Sequence, residues 1–345
     1  MDSSENDDPF RHNYCSLINE SEYSKSFETF RSYEKWEPIL LPLWIAIETM
    51  AFLLNALHLA LVGRKMYKGH GISKRYLFEI NRCISDLITT GSVATSLILQ
   101  SALFHASAPL RFGDTTRTLL ALICAFIVAG WILTFTYIAA AADQYVAVAY
   151  PIAYRTKITV RRCIIAMGLD WVVALVIGFV SGVLLTEPAC TKVCTTLVID
   201  VQLTVLIIIV PSTLTAFAMT FKALKNITRV QKIRRNVSSE FAAIARRRHR
   251  DRILVLSYRM TVFSLSFLPA IFVLTVYRQS VTQVLEFVKL DNYCAAETKI
   301  FQFALKDDCL YFMLIAWISC VICCLRAILD PIVACLSDRR LTRVS

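Results

Sequence analysis

Three charged side chains inside apolar runs are the residues of this sequence best placed to do chemistry. Asp86 lies in one run, and Arg326 and Asp330 share another. Arg326 precedes Asp330 by four residues, so the two lie one turn apart on the same face of a helix. A charge in an apolar interior is costly unless it is paired. The spacing therefore predicts an internal ion pair on that helix.

No pattern in the sequence supports catalysis. It contains no H-E-x-x-H motif, no carboxylate pair beside a nucleophile and no glycine-rich phosphate loop, and only 9 of its 345 residues are glycine. No Cys/His spacing typical of a zinc site occurs either. We therefore expect a protein that is not an enzyme and that carries no cofactor and no metal.

The elements that must position these charges are membrane spans. The chain is 56% hydrophobic and 18% charged, whereas soluble domains average roughly 45–50% apolar and about 25% charged residues. Its apolar residues form runs near the roughly 20 residues that cross a bilayer. Because lipid cannot satisfy free backbone groups, and seven is an unusual strand number for a barrel, an all-α seven-transmembrane helix bundle is expected. The predicted spans are 39–62, 76–100, 118–150, 163–185, 196–221, 253–277 and 309–336.

The basic residues predict how this bundle is oriented. The chain has 37 Lys and Arg against 26 Asp and Glu, a net charge of +11. Of the 37 basic residues, 23 follow spans one, three, five and seven, and 11 lie on the opposite side. The positive-inside rule then places the N-terminus outside and the C-terminus in the cytosol. We expect an extracellular acidic segment at 1–38, a transmembrane domain at 39–336 and a short cytosolic tail at 337–345. Basic residues confined to short loops give no support to nucleic-acid binding.

The external side is expected to carry disulfides and a glycan. Five of the twelve cysteines are predicted to lie there, in an oxidising compartment: Cys15, Cys190, Cys194, Cys294 and Cys309. Short spacing favours Cys190 with Cys194 and Cys294 with Cys309, although all pairings stay open. Asn19-Glu20-Ser21 is a glycosylation acceptor on the same side.

Polar and special residues follow a recognisable order along the seven spans. They are Asn55, Asp86, Asp143-Gln144-Tyr145, Trp171, Pro211, Phe267-Leu268-Pro269 and Asp330-Pro331. This order resembles that of the rhodopsin-like (class A) G-protein-coupled receptors, and the resemblance covers roughly residues 39–340. It implies a plasma-membrane, multi-pass receptor. Such a receptor binds an extracellular ligand and transmits a helix rearrangement to a cytosolic heterotrimeric G protein.

The resemblance also implies roles for individual residues. Asp143, Gln144 and Tyr145 would contribute to G-protein coupling. Asn55, Asp86 and Arg326 would form a central polar cluster, in which the guanidinium takes the place of the sodium ion that many relatives hold. The implied activation hinges are Pro211, Phe267, Pro269, Asp330 and Pro331, since proline removes a helical hydrogen bond.

The chain departs from the family at positions that bear on signalling, and one is Met219, near the place in span five where relatives have a tyrosine. Gln144 stands where relatives have the arginine that pairs with the neighbouring aspartate at rest and faces the G protein when active. Ala334 stands where relatives have the tyrosine of Asn-Pro-x-x-Tyr. These departures imply weak or unconventional coupling.

The ligand is expected to be a peptide or a small non-amine molecule. Phe126 occupies the position where amine receptors of this family carry an aspartate. Glu48 and Asp200 are carboxylates in the outer half of their spans, and an intramembrane ionisable group is a functional candidate by default. The alternative role for both is polar packing.

Two cytosolic features complete the expectations. The segment 222–252, which contains Arg246-Arg247-Arg248-His249-Arg250, is a predicted contact for anionic lipid or for the G protein. Cys335 is a candidate for palmitoylation. The alternative function is a seven-helix transporter or ligand-gated channel subunit; channel subunits of the insect olfactory type place the N-terminus inside, so orientation discriminates between the two.

Overall fold

A computed structural model of the chain describes residues 20–67, 74–105, 112–186, 192–233, 258, 260–264, 266–287 and 309–337. Nearly all of these residues are helical. The helices are α1 (Glu20–Lys65), α2 (Lys74–His105), α3 (Phe112–Ala149), α4 (Pro151–Lys157), α5 (Val160–Thr186), α6 (Lys192–Ile233), α7 (Met260–Val276), α8 (Arg278–Phe287) and α9 (Cys309–Ser337).

Among the described residues, five segments are long and apolar enough to cross a membrane. They are Ile39–Lys65, Leu120–Ala149, Val160–Leu185, Val193–Asn226 and Leu314–Cys335. The predicted class, an all-α membrane protein, is confirmed for the described part of the chain. The other two predicted spans also fall on helices. The predicted span at 76–100 lies within α2, which carries several charges, and the one at 253–277 contains α7, a shorter apolar helix.

The helices extend beyond the predicted spans. α1 begins at Glu20, before the predicted start of the transmembrane domain at residue 39, so part of the predicted N-terminal segment is helical. No glycine or proline interrupts residues 20–37, and both of those residue types disfavour helix interiors. At the other end of the bundle, α3 stops at Ala149 because Tyr150 precedes Pro151, and a residue before proline is biased away from helical geometry.

The helices pack as a bundle in which α3 touches four of the others. α1 contacts α2 and α9; α3 contacts α2, α4, α5 and α6; and α5 contacts α6. α7 packs against this bundle through Phe263 and Phe267, which form a core with residues of α3 and α6. α7 also meets α9, where the Cys323 thiol donates to the backbone carbonyl of Ser266 at 3.4 Å.

The contact between α3 and α5 depends on two glycines one turn apart. A Cβ atom at Gly178 would lie 2.1 Å from Val128 Cγ2, and one at Gly182 would lie 2.9 Å from Cys124 Sγ. Small residues at this spacing let two membrane helices approach closely. These glycines therefore fix the distance between α5 and the central helix.

The outward face of α5 is apolar and exposed. Phe179 is 73% exposed, and several leucine, isoleucine and valine side chains beside it are about half exposed. Soluble monomers rarely expose a contiguous apolar surface of this extent. Such a face is suited to contact with lipid chains.

Candidate functional site

Four charged side chains meet in the interior of the bundle. Arg82 and Asp86 come from α2, and Arg326 and Asp330 come from α9. All four are at least nine-tenths buried. We call them the charge quartet. Its two guanidinium groups balance its two carboxylates, so the quartet carries no net formal charge.

The quartet is paired between helices more closely than within them. The Nη2 atom of Arg326 forms an ion pair with Asp86 Oδ1, and its Nη1 atom lies 3.3 Å from Asp86 Oδ2. Within α9, the same Nη1 atom lies 3.5 Å from Asp330 Oδ2. In the opposite direction, the Nε atom of Arg82 lies 3.5 Å from Asp330 Oδ2. Each arginine thus contacts the aspartate of the other helix.

Tyr137 of α3 connects the quartet to an aromatic core. Its hydroxyl donates to Asp330 Oδ2 at 2.6 Å. Its ring centroid lies 5.1 Å from that of Phe263 and 6.3 Å from that of Phe267, and the rings of Phe263 and Phe267 are 4.8 Å apart. A displacement of α7 would therefore act on a side chain that is hydrogen-bonded to the quartet.

Three further hydrogen bonds join helices near the quartet. Asn55 of α1 donates through Nδ2 to the backbone carbonyl of Ala327 in α9 at 2.7 Å. On the other side, Trp171 of α5 donates to Asn81 Oδ1 at 2.7 Å, and Asn81 Nδ2 donates to Thr136 Oγ1 of α3 at 2.7 Å. Asn55 and Trp171 are among the residues that carry the resemblance to the receptor family. Asn55 joins α1 to α9, and Trp171 joins α5 to α2.

A cavity of about 140 Å³ extends from the quartet toward the α4 end of the bundle. Arg82 of the quartet and Tyr137 line it, and Asp143 and Gln144 line it farther along α3. Its remaining walls include Phe78, Glu79, Thr136, Ala140 and Phe217. The cavity thus joins the buried charges to the residues predicted to face a G protein.

Asp143 is held by α4 and α2. The Tyr154 hydroxyl donates to Asp143 Oδ2 at 3.2 Å. Lys74 lies with its Nζ atom 4.0 Å from the centroid of the Tyr154 ring and 3.4 Å from the Tyr154 carbonyl oxygen. Burial and the nearby Asp143 carboxylate raise the pKa of Tyr154, so its hydroxyl stays protonated and acts as the donor. The neighbouring Tyr145 packs against Tyr150, with ring centroids 6.2 Å apart.

The predicted hinge prolines lie inside helices. Pro211 interrupts α6 and Pro331 interrupts α9. Pro269 lies in α7, two residues after Phe267. Pro331 is buried directly after Asp330, whereas Pro211 is exposed. α9, which carries Arg326 and Asp330, therefore lacks one backbone hydrogen bond beside Asp330.

The three ligand candidates lie in different surroundings. Glu48 is 1% exposed and accepts hydrogen bonds at Oε1 from Trp44 and from the Cys324 thiol. Asp200 of α6 forms an exposed ion pair with Arg278 of α8. Phe126 is 45% exposed. The structure does not bring these three together, and the contacts of Glu48 are those of polar packing.

The described cysteines differ in bonding state. Seven described cysteines are reduced thiols: Cys83, Cys124, Cys163, Cys320, Cys323, Cys324 and Cys335. Cys194 is disulfide-bonded. Its pairing with Cys190 stays a prediction, because Cys190 and Cys294 lie outside the described residues, as does the side chain of Cys309. Asn19 also lies outside them.

Cys335 lies inside α9. α9 continues through it to Ser337, and its Sγ atom lies 3.4 Å from Nδ1 of the buried His58 in α1. This contact orients the thiol toward α1. Palmitoylation of Cys335 stays a prediction.

Sequence reasoning missed three members of this site. Arg82 precedes Asp86 by four residues, the same spacing that identified Arg326 and Asp330, so the signal was present. Tyr137 had no such signal, because a tyrosine in an apolar run is most simply read as packing. Tyr154 lies outside the spans, and only the return of α4 toward α3 brings its hydroxyl to Asp143.

Comparison of the sequence with family models and with curated proteins found no match. Over the part of the chain that the structure describes, no three His, Cys, Asp or Glu side chains are arranged to hold a metal ion. The features that bear on function are therefore the charge quartet, the aromatic core and the cavity.

Proposed function

We propose that this chain is a seven-span receptor of the plasma membrane, of the rhodopsin-like G-protein-coupled kind, with its N-terminus outside. An extracellular ligand, either a peptide or a small non-amine molecule, displaces α7 against α3 and α6. The displacement opens the cavity at the α4 end to a heterotrimeric G protein. We also propose that the basic segment 222–252, of which residues 234–252 lie outside the described residues, contacts anionic lipid.

One observation carries this proposal, namely the unbroken chain of contacts from α7 to the cavity. Phe267 packs on Phe263, both pack on Tyr137, and Tyr137 is bonded to Asp330 of the quartet. Tyr137 also lines the cavity that Asp143 and Gln144 border. Side chains in direct contact thereby link a movement of α7 to Tyr137, which lines the same cavity as the predicted coupling residues.

The resting state differs from that of the family because Gln144 cannot form an ion pair with Asp143. In this chain the Tyr154 hydroxyl bonds to Asp143 instead. A single hydrogen bond from an uncharged hydroxyl is weaker than a bidentate ion pair. The proposed resting lock is therefore the hydrogen bond between Tyr154 of α4 and Asp143 of α3, and it is weaker than the ion pair of the family.

The proposal is tested by guanine-nucleotide exchange. The full chain in lipid nanodiscs is mixed with purified heterotrimeric G proteins of each class. GTP binding by the G protein is then measured with and without fractions from peptide and non-amine small-molecule libraries. We expect basal exchange above that of empty nanodiscs on at least one class, increased by an active fraction. Exchange equal to empty nanodiscs for every class and fraction would contradict the proposal.

A further inference from the structure

One carboxylate of α5 stands apart from the paired charges of the bundle. Asp170 directly precedes Trp171, whose indole bonds to Asn81 of α2. The Asp170 side chain is half-buried, and among the described residues no hydrogen-bond donor and no basic side chain contacts its carboxylate. By contrast, Asp86 and Asp330 each contact an arginine. The charge of Asp170 is therefore not balanced within the described part of its own chain.

The position of Asp170 along α5 places it inside the hydrocarbon region. The exposed Arg161 and Arg162 lie at the start of the helix, where Arg162 donates to the Lys157 carbonyl oxygen at 2.6 Å. Asp170 follows Arg162 by eight residues, which is about 12 Å along a helix axis. α5 then continues to Thr186, a further distance of about 24 Å. An aspartate side chain is too short to reach the headgroups over such distances, whereas lysine and arginine can snorkel. The carboxylate thus requires a partner within the bilayer.

The surface around Asp170 has room for a second helix. Ala166 lies one turn before Asp170 on the same side of α5, and it is exposed and small. Val173 lies one turn after it and is 45% exposed. A small residue lets two membrane helices approach closely, and polar side chains then bond across the contact. We call Ala166, Asp170 and Val173 the Asp170 face.

The charge of Asp170 selects the occupant of this face. A carboxylate at this depth is stabilised by a basic side chain of an adjacent helix, and lipid chains offer none. A second copy of this chain does not offer one either. Of the described lysines and arginines in the spans, Arg82 and Arg326 are buried in the quartet and the others lie near the ends of their spans. The balancing cation must therefore come from a different chain.

We propose that the Asp170 face binds a transmembrane helix of a different membrane protein, one that carries a lysine or an arginine at the depth of Asp170. The two side chains form an ion pair across the contact, and the small Ala166 lets the helices approach. This inference goes beyond the receptor function proposed above and does not depend on it, since it requires neither a ligand nor a G protein.

The test uses synthetic single-span peptides as the probe. Each is a leucine-rich helix of about 20 residues with lysine, leucine or glutamate near its centre. The full chain, labelled with a donor dye, is reconstituted into phosphatidylcholine vesicles, and energy transfer to acceptor-labelled peptide is titrated. We expect the lysine peptide to associate about tenfold more tightly than the leucine peptide, which is the order of effect of one polar contact between membrane helices.

Three variants of the chain assign the effect to the carboxylate. Asp170→Asn is nearly isosteric and should reduce binding of the lysine peptide to the level of the leucine peptide. Asp170→Lys should reverse the preference, so that the glutamate peptide binds about tenfold more tightly than the lysine peptide. Asp200→Asn removes an exposed carboxylate of α6 that is paired with Arg278, and this matched control should bind the peptides like the wild type.

Equal binding of the lysine and leucine peptides by the wild type would overturn the inference, as would a lysine preference that persists in Asp170→Asn. The melting temperature of Asp170→Asn should not fall below that of the wild type. A lower value would show that Asp170 serves its own chain and would also overturn it. Energy transfer between two labelled copies of the chain that is lost in Asp170→Asn would assign the face to a second copy, and would overturn the assignment to a different protein.

Discussion

Arg326 and Asp86 illustrate what a charged side chain requires in the interior of a membrane protein. Each is buried, and each satisfies the other with two contacts across the gap between α2 and α9. Truncating one partner leaves a charge that neither lipid nor protein solvates. Loss of one member of such a pair costs about 3–5 kcal/mol.

Arg326→Met is therefore expected to lower the thermal stability of the detergent-solubilised protein by an amount in that range. Asp86→Asn in the same chain should recover part of the loss, because the carboxylate that Arg326 paired with is then uncharged. Asp330→Asn in its place should recover less, since Tyr137 still bonds to Asp330. A denaturation curve for each variant measures the differences, and an Arg326→Met protein as stable as the wild type would contradict the pairing.

The quartet also predicts insensitivity to sodium. Because guanidinium groups already balance both carboxylates, a sodium ion gains no site there. The melting temperature of the wild type should be the same in sodium and potassium salts of equal concentration. A clear stabilisation by sodium would show that the arginines do not fill this role.

Tyr154 provides a second test at the level of one atom. Tyr154→Phe removes the hydroxyl that bonds to Asp143 and leaves the ring stacked under Lys74. We expect basal nucleotide exchange to rise, by about fivefold for the loss of a bond worth about 1 kcal/mol. Tyr311→Phe, at an exposed site on α9, is the matched control and should not change the rate. A Tyr154→Phe rate equal to the wild type would show that this bond does not restrain the resting state.

At the scale of elements, the sequence specified the helices better than their partners. The four-residue spacing placed Arg326 and Asp330 on one face of α9, and it could have placed Arg82 and Asp86 on one face of α2 in the same way. Spacing along a helix predicts pairs within that helix. The pairing across helices depends on the rotation of α2 against α9, which only tertiary packing determines.

Alanine substitutions at two glycines of α5 are expected to change the stability of the protein in opposite directions. Gly178→Ala would bring a Cβ atom against Val128, whose branched side chain has few alternative rotamers, and should destabilise the protein by about 1–3 kcal/mol. Gly168→Ala in the same helix meets nothing within 4 Å and should stabilise it by about 0.5–1 kcal/mol through helix propensity. Thermal unfolding of the two variants decides this, and equal effects of both substitutions would contradict the close approach of α3 and α5.

For the whole molecule, composition and hydropathy were sufficient to predict an all-α membrane protein. The extent of each helix was not, since α1 continues N-terminally into polar sequence where hydropathy carries no signal. The cavity was likewise beyond sequence reasoning, because its walls combine residues of α2, α3 and α6 that are far apart in the chain. Orientation stays a prediction from the distribution of basic residues.

Topology is the most direct measurement of the account, because a receptor needs its N-terminus outside and its coupling cavity in the cytosol. Epitope tags are placed at the N-terminus and after Arg340, and antibody binding is compared between intact and permeabilised cells. We predict that the N-terminal tag is accessible in intact cells and the C-terminal tag only after permeabilisation. An N-terminal tag that needs permeabilisation, or two tags on the same side, would contradict a seven-span receptor.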